Sequence, residues 1–159
     1  MRVKPVRRIV CVDGRDGKSR AIHDGPAPDV HGDPARPGFS STLIWATDAT
    51  PARIDGASEP PSPPQALSPP PGGSLCRVVT FPPDRAFRGG ARVPHAGMHK
   101  ARTLDFCLVL EGEITLVLDS EEVELKAGDT VVQRGTRHAW SNRSHSPCVV
   151  AISSHDATY

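Results

Sequence analysis

Aromatic side chains are scarce in this sequence of 159 residues, at 4% of the composition. Proteins that bind single-stranded nucleic acid stack bases on exposed aromatic rings, so this scarcity argues against such a surface. Charge offers no alternative route, because the formal net charge is +1 and the basic residues form no stripe. We therefore expect no nucleic-acid partner and no anionic membrane partner.

Long hydrophobic runs are also lacking, since no apolar run approaches the roughly 20 residues of a membrane span. The basic start "MRVKPVRR" is followed only by "IVCV", which is too short for the apolar region of a signal peptide. These features predict a cytoplasmic protein. The four cysteines form no Cys-x-x-Cys pair, and we expect each to be a small reduced residue; they are Cys11, Cys76, Cys107 and Cys148.

Proline, by contrast, is frequent and concentrated, with eight of the seventeen prolines between Pro51 and Pro71. Such a stretch cannot donate ladder hydrogen bonds and predicts an extended surface loop. The sequence therefore divides into three parts. Residues 1–50 are a β-hairpin ("RRIVCV", "SRAIH") and a strand ("STLIWAT") that pack on the rest as an arm, with a loop over "DGPAPDVHGDPARPG" between them. Residues 51–74 are the proline-rich loop, and residues 75–159 are the main domain.

The main domain reads as strand after strand, separated by short breaks that carry Gly, Pro, Asp or Ser. The predicted strands are "LCRVVTF", "RVPHAGMHK", "TLDFCLVL", "EITLVLD", "EEVELKAGD", "TVVQRG", "HAWSN" and "CVVAISS". Many short strands at close spacing predict an all-β sandwich or closed barrel, because parallel βαβ units need helices between the strands.

Residues two apart in a strand share a face, and this alternation separates two kinds of surface around Asp105. One face is mixed and suits the lining of a polar cavity; its polar members are His99, Thr103 and Asp105, with Ala101 between them. The other face is purely apolar and is expected to pack in the core; it carries Leu104, Phe106, Leu108 and Leu110.

His99, Asp105 and His138 are the predicted catalytic residues. Two histidines and a carboxylate can form a facial metal triad with positions left open for water, dioxygen or substrate. The alternative is a metal-free pocket in which a histidine is the general acid or base and Asp105 orients the imidazole. Of the two, the metal-free pocket is the preferred interpretation. Side chains expected to contact a substrate are Gln133, Trp140, Asn142 and Thr103.

The segments "MHKARTLDFCLVLEGE" and "GDTVVQRGTRHAWSN" resemble the two motifs of the cupin superfamily. His99, Asp105 and Gly112 match the first motif. Gly128, Asp129, His138 and Asn142 match the second. The sequence departs from the pattern at Ala101, where the second metal histidine belongs. The whole pattern looks most like the conserved-barrel (cupin 2 type) branch.

This resemblance implies a double-stranded β-helix (jelly-roll) barrel, preceded here by the N-terminal hairpin extension. It also implies a small-molecule enzyme acting on a small organic acid or aromatic metabolite in the barrel, by oxygenase, isomerase or decarboxylase chemistry. A bound metal would be one divalent ion, iron, manganese or zinc. A non-catalytic ligand-binding or sensing cupin is the alternative. Cupins commonly pair through edge strands, and edges left by an open barrel need cover, so we expect a homodimer with the N-terminal arm at its interface.

Overall fold

The computed structural model describes residues 4–54, 68–87 and 95–159, and eleven β-strands hold most of them. The first five are β1 (Arg7–Asp13), β2 (Ser19–Pro26), β3 (Val30–Gly32), β4 (Ser40–Thr47) and β5 (Ser74–Phe81). A single 3₁₀ turn, Asp84–Ala86, follows. The remaining strands are β6 (Thr103–Glu111), β7 (Glu113–Leu118), β8 (Glu122–Lys126), β9 (Thr130–Arg134), β10 (His138–Ser141) and β11 (Cys148–Asp156).

The strands form a six-stranded sheet, a three-stranded sheet and a separate hairpin. The six-stranded sheet has the order β3-β4-β5-β11-β6-β9, the three-stranded sheet has the order β10-β7-β8, and β1 pairs only with β2. Their pairings are antiparallel, both between consecutive strands joined by short turns, as in β1–β2 and β7–β8, and between strands distant in sequence, as in β5–β11 and β6–β9. The all-β, jelly-roll prediction is confirmed. The strand β4 joins the edge of the larger sheet by pairing with β5.

The core lies between the two larger sheets, because both contribute to one buried cluster. That cluster comprises Cys107, Val109, Ile114, Leu116, Leu125, Cys148 and Val150. Burial raises the pKa of the Cys107 and Cys148 thiols to about 12 in each case, so both stay protonated and act as small apolar residues. Gly112 forms the turn between β6 and β7 at φ 79°. A Cβ there would lie 2.8 Å from the carbonyl oxygen of Pro147, which explains the glycine.

The alternation correctly predicts which side chains of β6 share a face. The prediction that the apolar face packs in the core is wrong, because that face is on the outside of the barrel. The side chains of Phe106, Leu108 and Leu110 are exposed, Phe106 by 49%. Val132, the partner of Phe106 on β9, is exposed by 59%. The opposite face of β6 is the one that packs inward against β7 and β11.

Two segments differ from their predicted structure. The segment "DGPAPDVHGDPARPG", predicted as loop, contains the end of β2 and the short strand β3, which pairs with β4. The segment "RVPHAGMHK" was expected to be a strand; within its described part, residues 95–100, only His99 forms a single β-bridge. The chain bends at Arg102 before β6 begins, so His99 is not on the face of β6. The Met98 amide instead closes a turn onto the carbonyl of His95.

The N-terminal hairpin lies outside both larger sheets. Its link to the neighbouring strand includes a hydrogen bond from the Arg8 guanidinium to the carbonyl of Ile44. Most of the predicted proline-rich loop, residues 55–67, lies outside the described residues. Among the helices that the structure describes, none is long and apolar enough to cross a membrane.

Candidate functional site

A histidine pair lies at the start of β10. The backbone amides of His99 and His138 each donate to the other's carbonyl at 2.9 Å, forming an antiparallel bridge. Their ring centroids are 4.5 Å apart, at an angle of 53°. His138 is buried and His99 is exposed, so the pair extends from the interior to the surface. The structure therefore brings together two of the three predicted catalytic residues.

Backbone carbonyls determine which nitrogen of each ring is free. The Nδ1 of His99 lies 2.8 Å from the carbonyl oxygen of Gly97, and the Nδ1 of His138 lies 2.9 Å from that of Thr136. A carbonyl only accepts, so each Nδ1 donates its proton. A neutral ring then carries its lone pair on Nε2. Both Nε2 atoms are available to take a proton or to hold a ligand.

Burial lowers the pKa of His138 below its ordinary value of 6.5. The hydrogen bond to Thr136 opposes this shift, the nearby His99 adds to it, and the carboxylate of Asp105 opposes it. The net lowering leaves the His138 imidazole neutral at pH 7. It can therefore act as a base there.

Asp105 and Gln133 form the polar floor of the site. They are direct partners across β6 and β9, and both side chains are buried. The Gln133 Oε1 accepts a hydrogen bond from the Thr136 hydroxyl, which fixes the amide. The Oδ1 of Asp105 and the Nε2 of Gln133 have no hydrogen-bond partner within the described chain. Buried polar atoms rarely remain unpaired, so this acceptor and this donor are suited to a ligand.

The remaining predicted contacts fall into different environments. Trp140 is half-buried and packs edge-on against His138, with ring centroids 6.1 Å apart. Thr103 is buried at the start of β6. Trp140 and Thr103 therefore stay candidates for substrate contact.

Asn142 is a structural residue, and the predicted substrate contact is corrected here. Its Nδ2 donates to the carbonyls of Phe81 and Ser146, at 2.9 Å each. Its Oδ1 accepts from the amide and the hydroxyl of Ser144. These four bonds use the full capacity of the amide, so nothing remains for a substrate.

A second polar cluster, centred on Asp84, was not predicted from the sequence. The buried Asp84 carboxylate accepts hydrogen bonds from the Ser141 hydroxyl at 2.5 Å and from the backbone N–H of Asn142 at 3.1 Å. The Nδ1 of His95 accepts from the Gly97 amide, so its protonated Nε2 faces Asp84 at 3.6 Å. His95 thus supports the loop that leads to His99. Neither periodicity nor motif spacing marks Asp84; the signal in the sequence is only the turn-forming "PPD".

The predicted metal triad is completed only in part by this arrangement. The two imidazole Nε2 atoms are suitable ligands. Within residues 4–54, 68–87 and 95–159, however, no group of three or more His, Cys, Asp or Glu side chains is arranged to hold a metal ion. Open catalytic metal sites use three protein ligands, so the described residues do not fit such a site as they stand. The triad stays a prediction.

Comparisons with known proteins bear on this fold and site. Residues 78–154 match the family model described as a cupin domain. The "Phomopsin biosynthesis cluster protein C'" of Diaporthe leptostromiformis is 42% identical over 110 residues, which are 65% of this chain and 53% of that protein. The "Cupin-domain-containing oxidoreductase fogC" of Aspergillus ruber is 31% identical over 143 residues, 86% of this chain and 64% of that protein. The chain spans about half the length of several curated relatives that it matches.

The solved cupin domain of Cnp3 from Schizosaccharomyces pombe superposes with a TM-score of 0.52 at 9% identity, over 94% of this chain and 87% of that one. At this identity the likeness concerns the fold alone, and the fold is the same β-barrel. Family match, relatives and architecture agree with the two motifs around His99 and His138. Residues 78–154 therefore form a cupin domain of the conserved-barrel (cupin 2) type.

Proposed function

We propose that this chain is an enzyme that acts on a small organic acid or aromatic metabolite inside the barrel, with His138 as the proton acceptor. The observation that carries the proposal is the buried, neutral imidazole of His138, whose Nε2 accepts no hydrogen bond within the described chain. Beside it lie two buried polar atoms without a partner there, the Asp105 Oδ1 and the Gln133 Nε2. A base with a free lone pair and buried groups ready for a ligand are the parts of an acid–base site.

Each residue has a distinct part in the proposed chemistry. The Gln133 Nε2 donates a hydrogen bond to a substrate oxygen, and the Asp105 Oδ1 accepts one from a substrate hydroxyl. The Nε2 of His138 takes the proton that the substrate loses, and the ring then becomes an imidazolium. The Thr136 carbonyl keeps the ring oriented through Nδ1. Trp140 supplies an apolar wall beside the imidazole.

The relatives support an oxidoreductase among the reaction types that the resemblance allows. Three curated relatives carry the name cupin-domain-containing oxidoreductase, at 31% to 33% identity. Loss of a proton from a hydroxyl or an adjacent carbon is an ordinary first step in oxidising an organic substrate, and His138 is a suitable acceptor. No step assigned to these side chains depends on a metal. Because the described side chains do not form a three-ligand metal site as they stand, the proposal assigns no step to iron, manganese or zinc.

The test combines binding and turnover on one panel of hydroxylated aromatic and aliphatic carboxylic acids. Binding is followed by NMR of the protein, and turnover by mass spectrometry of the reaction mixture, with and without added iron, manganese or zinc. Metal content is measured on protein purified without a histidine tag. His138→Gln should lower turnover by about 10²-fold or more while leaving binding within a few-fold, as expected for loss of a general base.

His145→Gln is the matched control, because it removes an exposed histidine from the 142–147 loop and should leave turnover unchanged. Asp105→Asn should weaken binding. Parent-level turnover in His138→Gln would contradict the assigned base. Binding without turnover in every metal condition would favour the alternative, a ligand-binding or sensing cupin.

A further inference from the structure

A second cavity, of about 360 Å³, lies where the start of β6, the end of β9 and residues 157–159 meet. Its wall is formed by Arg102, Thr103, Leu104, Arg134, Gly135, Ala157, Thr158 and Tyr159. His99, Asp105, Gln133 and His138 are not among these residues, so the cavity is distinct from the histidine pair. Its volume lies within the range of pockets that accept small organic molecules.

The charge of this cavity is unbalanced. Arg102 and Arg134 both line it, and within the described chain neither guanidinium forms an ion pair or a hydrogen bond. No acidic residue is among the eight that form its wall. Several other exposed arginines are paired, as Arg143 is with Glu122 at 2.7 Å. An anion between the two guanidiniums would be attracted by both charges.

Tyr159 gives the cavity an aromatic side, although the residue is 80% exposed. Its hydroxyl donates to the carbonyl of Gly135 at 3.3 Å. Gly135 adopts φ +64°, and a Cβ there would lie 3.2 Å from the Tyr159 ring, so the glycine lets the ring approach the turn. The ammonium of Lys100 lies 4.8 Å from the centre of the same ring and adds a third positive charge.

We propose that this cavity binds a small organic anion, with the oxyanion group between Arg102 and Arg134 and its apolar part against Tyr159. A carboxylate and a phosphate share this chemistry, since a guanidinium binds either through two parallel hydrogen bonds. The site is additional to the barrel interior and does not depend on the reaction proposed there.

The experiment titrates the full chain with benzoate, phenyl phosphate and inorganic phosphate, using isothermal calorimetry and NMR shifts of the residue 100–104 and 157–159 amides. Saturable binding is expected for at least one probe. Arg102→Gln and Arg134→Gln should each weaken it at least tenfold. Arg15→Gln, which removes an exposed arginine from the β1–β2 turn, should leave it unchanged. Asp105→Asn, which should weaken binding in the barrel interior, should leave it unchanged as well.

The probes also separate the two ligand classes. Preference for benzoate indicates a carboxylate site, and preference for phenyl phosphate or inorganic phosphate indicates a phosphate site. Absence of saturable binding by all three probes overturns the proposal. So does binding that both arginine variants retain, or binding that Asp105→Asn weakens while the arginine variants keep it, because the probe then occupies the barrel interior. Since both arginines are exposed, their replacement should not impair folding, and circular dichroism checks this.

Discussion

Replacing Asp84 with alanine should destabilise the barrel strongly, although Asp84 belongs to neither cupin motif. The carboxylate is buried and receives hydrogen bonds from the Ser141 hydroxyl and the Asn142 amide. Both donors are themselves buried, at the end of β10 and the residue after it. Removing the carboxylate leaves two donors in the interior with no acceptor.

The expected magnitude follows from those two donors. An unsatisfied buried donor costs about 1–3 kcal/mol, so the loss of an acceptor for two donors in Asp84→Ala should lower the free energy of unfolding by about 2–6 kcal/mol. That is a large share of the roughly 5–15 kcal/mol by which a domain is stable. Asp84→Asn keeps the shape of the side chain and one acceptor oxygen, but its amide NH₂ group then faces one of the two donors that the carboxylate had accepted from. It should cost about 1–3 kcal/mol.

Urea unfolding followed by tryptophan fluorescence measures these changes, since Trp140 lies on β10 beside the affected residues. A double-mutant cycle with Ser141→Ala isolates the hydrogen bond and should give a coupling energy of at least about 0.5 kcal/mol. Asp48→Ala removes an exposed carboxylate and should change stability by no more than about 0.5 kcal/mol. The reasoning is refuted if Asp84→Ala is as mild as this control, or if the cycle shows no coupling.

Three further predictions concern the pH dependence, the metal and the oligomer. In the unfolded chain His138 takes up a proton near its ordinary pKa of 6.5, whereas burial lowers its pKa in the folded protein. The free energy of unfolding should therefore decrease as the pH falls from 6.5 through the lower pKa of the folded state. Urea midpoints of His138→Gln should lack this decrease; an unchanged pH slope would contradict it. Ala101→His restores the second histidine of the cupin motif and should tighten divalent-metal binding in a competition titration; equal affinity means that the bend at Arg102 turns position 101 away from His99. The homodimer with the N-terminal arm at its interface stays a proposal: light scattering of the full chain should give the mass of a dimer, and a monomer at micromolar concentration would refute it.

The barrel and the identity of its polar face could be predicted from the sequence because both depend on short-range rules. Strand alternation places Thr103 and Asp105 on one side of the chain whatever the rest of the fold does. The meeting of His99 with His138 is a long-range contact, and the spacing of the two motifs, rather than strand geometry, pointed to it. The bend at Arg102 shows the difference, since His99 reaches its partner through a separate bridge and not as part of β6.

The buried support of the site could not be predicted in the same way. Asp84 precedes Ser141 by 57 positions and meets it only when the segment after β5 folds against the end of β10. No hydrophobic period marks such a contact, and an isolated aspartate after two prolines is typical of an exposed turn. The prediction for Asn142 was wrong in the opposite direction. Its place in a motif suggested a ligand contact, but neighbouring backbone and side-chain groups use all the hydrogen bonds of its side-chain amide.

The two faces of β6 show why alternation alone is not enough to place a core. A period of two tells which side chains share a face but not which face points inward, and hydrophobicity usually decides. Here the inward face carries Cys107 and Val109, small enough to pack against β7 and β11, together with the polar Asp105 that the site needs. The larger residues Phe106 and Leu108 are therefore left outside. A polar cavity inside a small barrel thus reverses the usual rule along the strand that carries it.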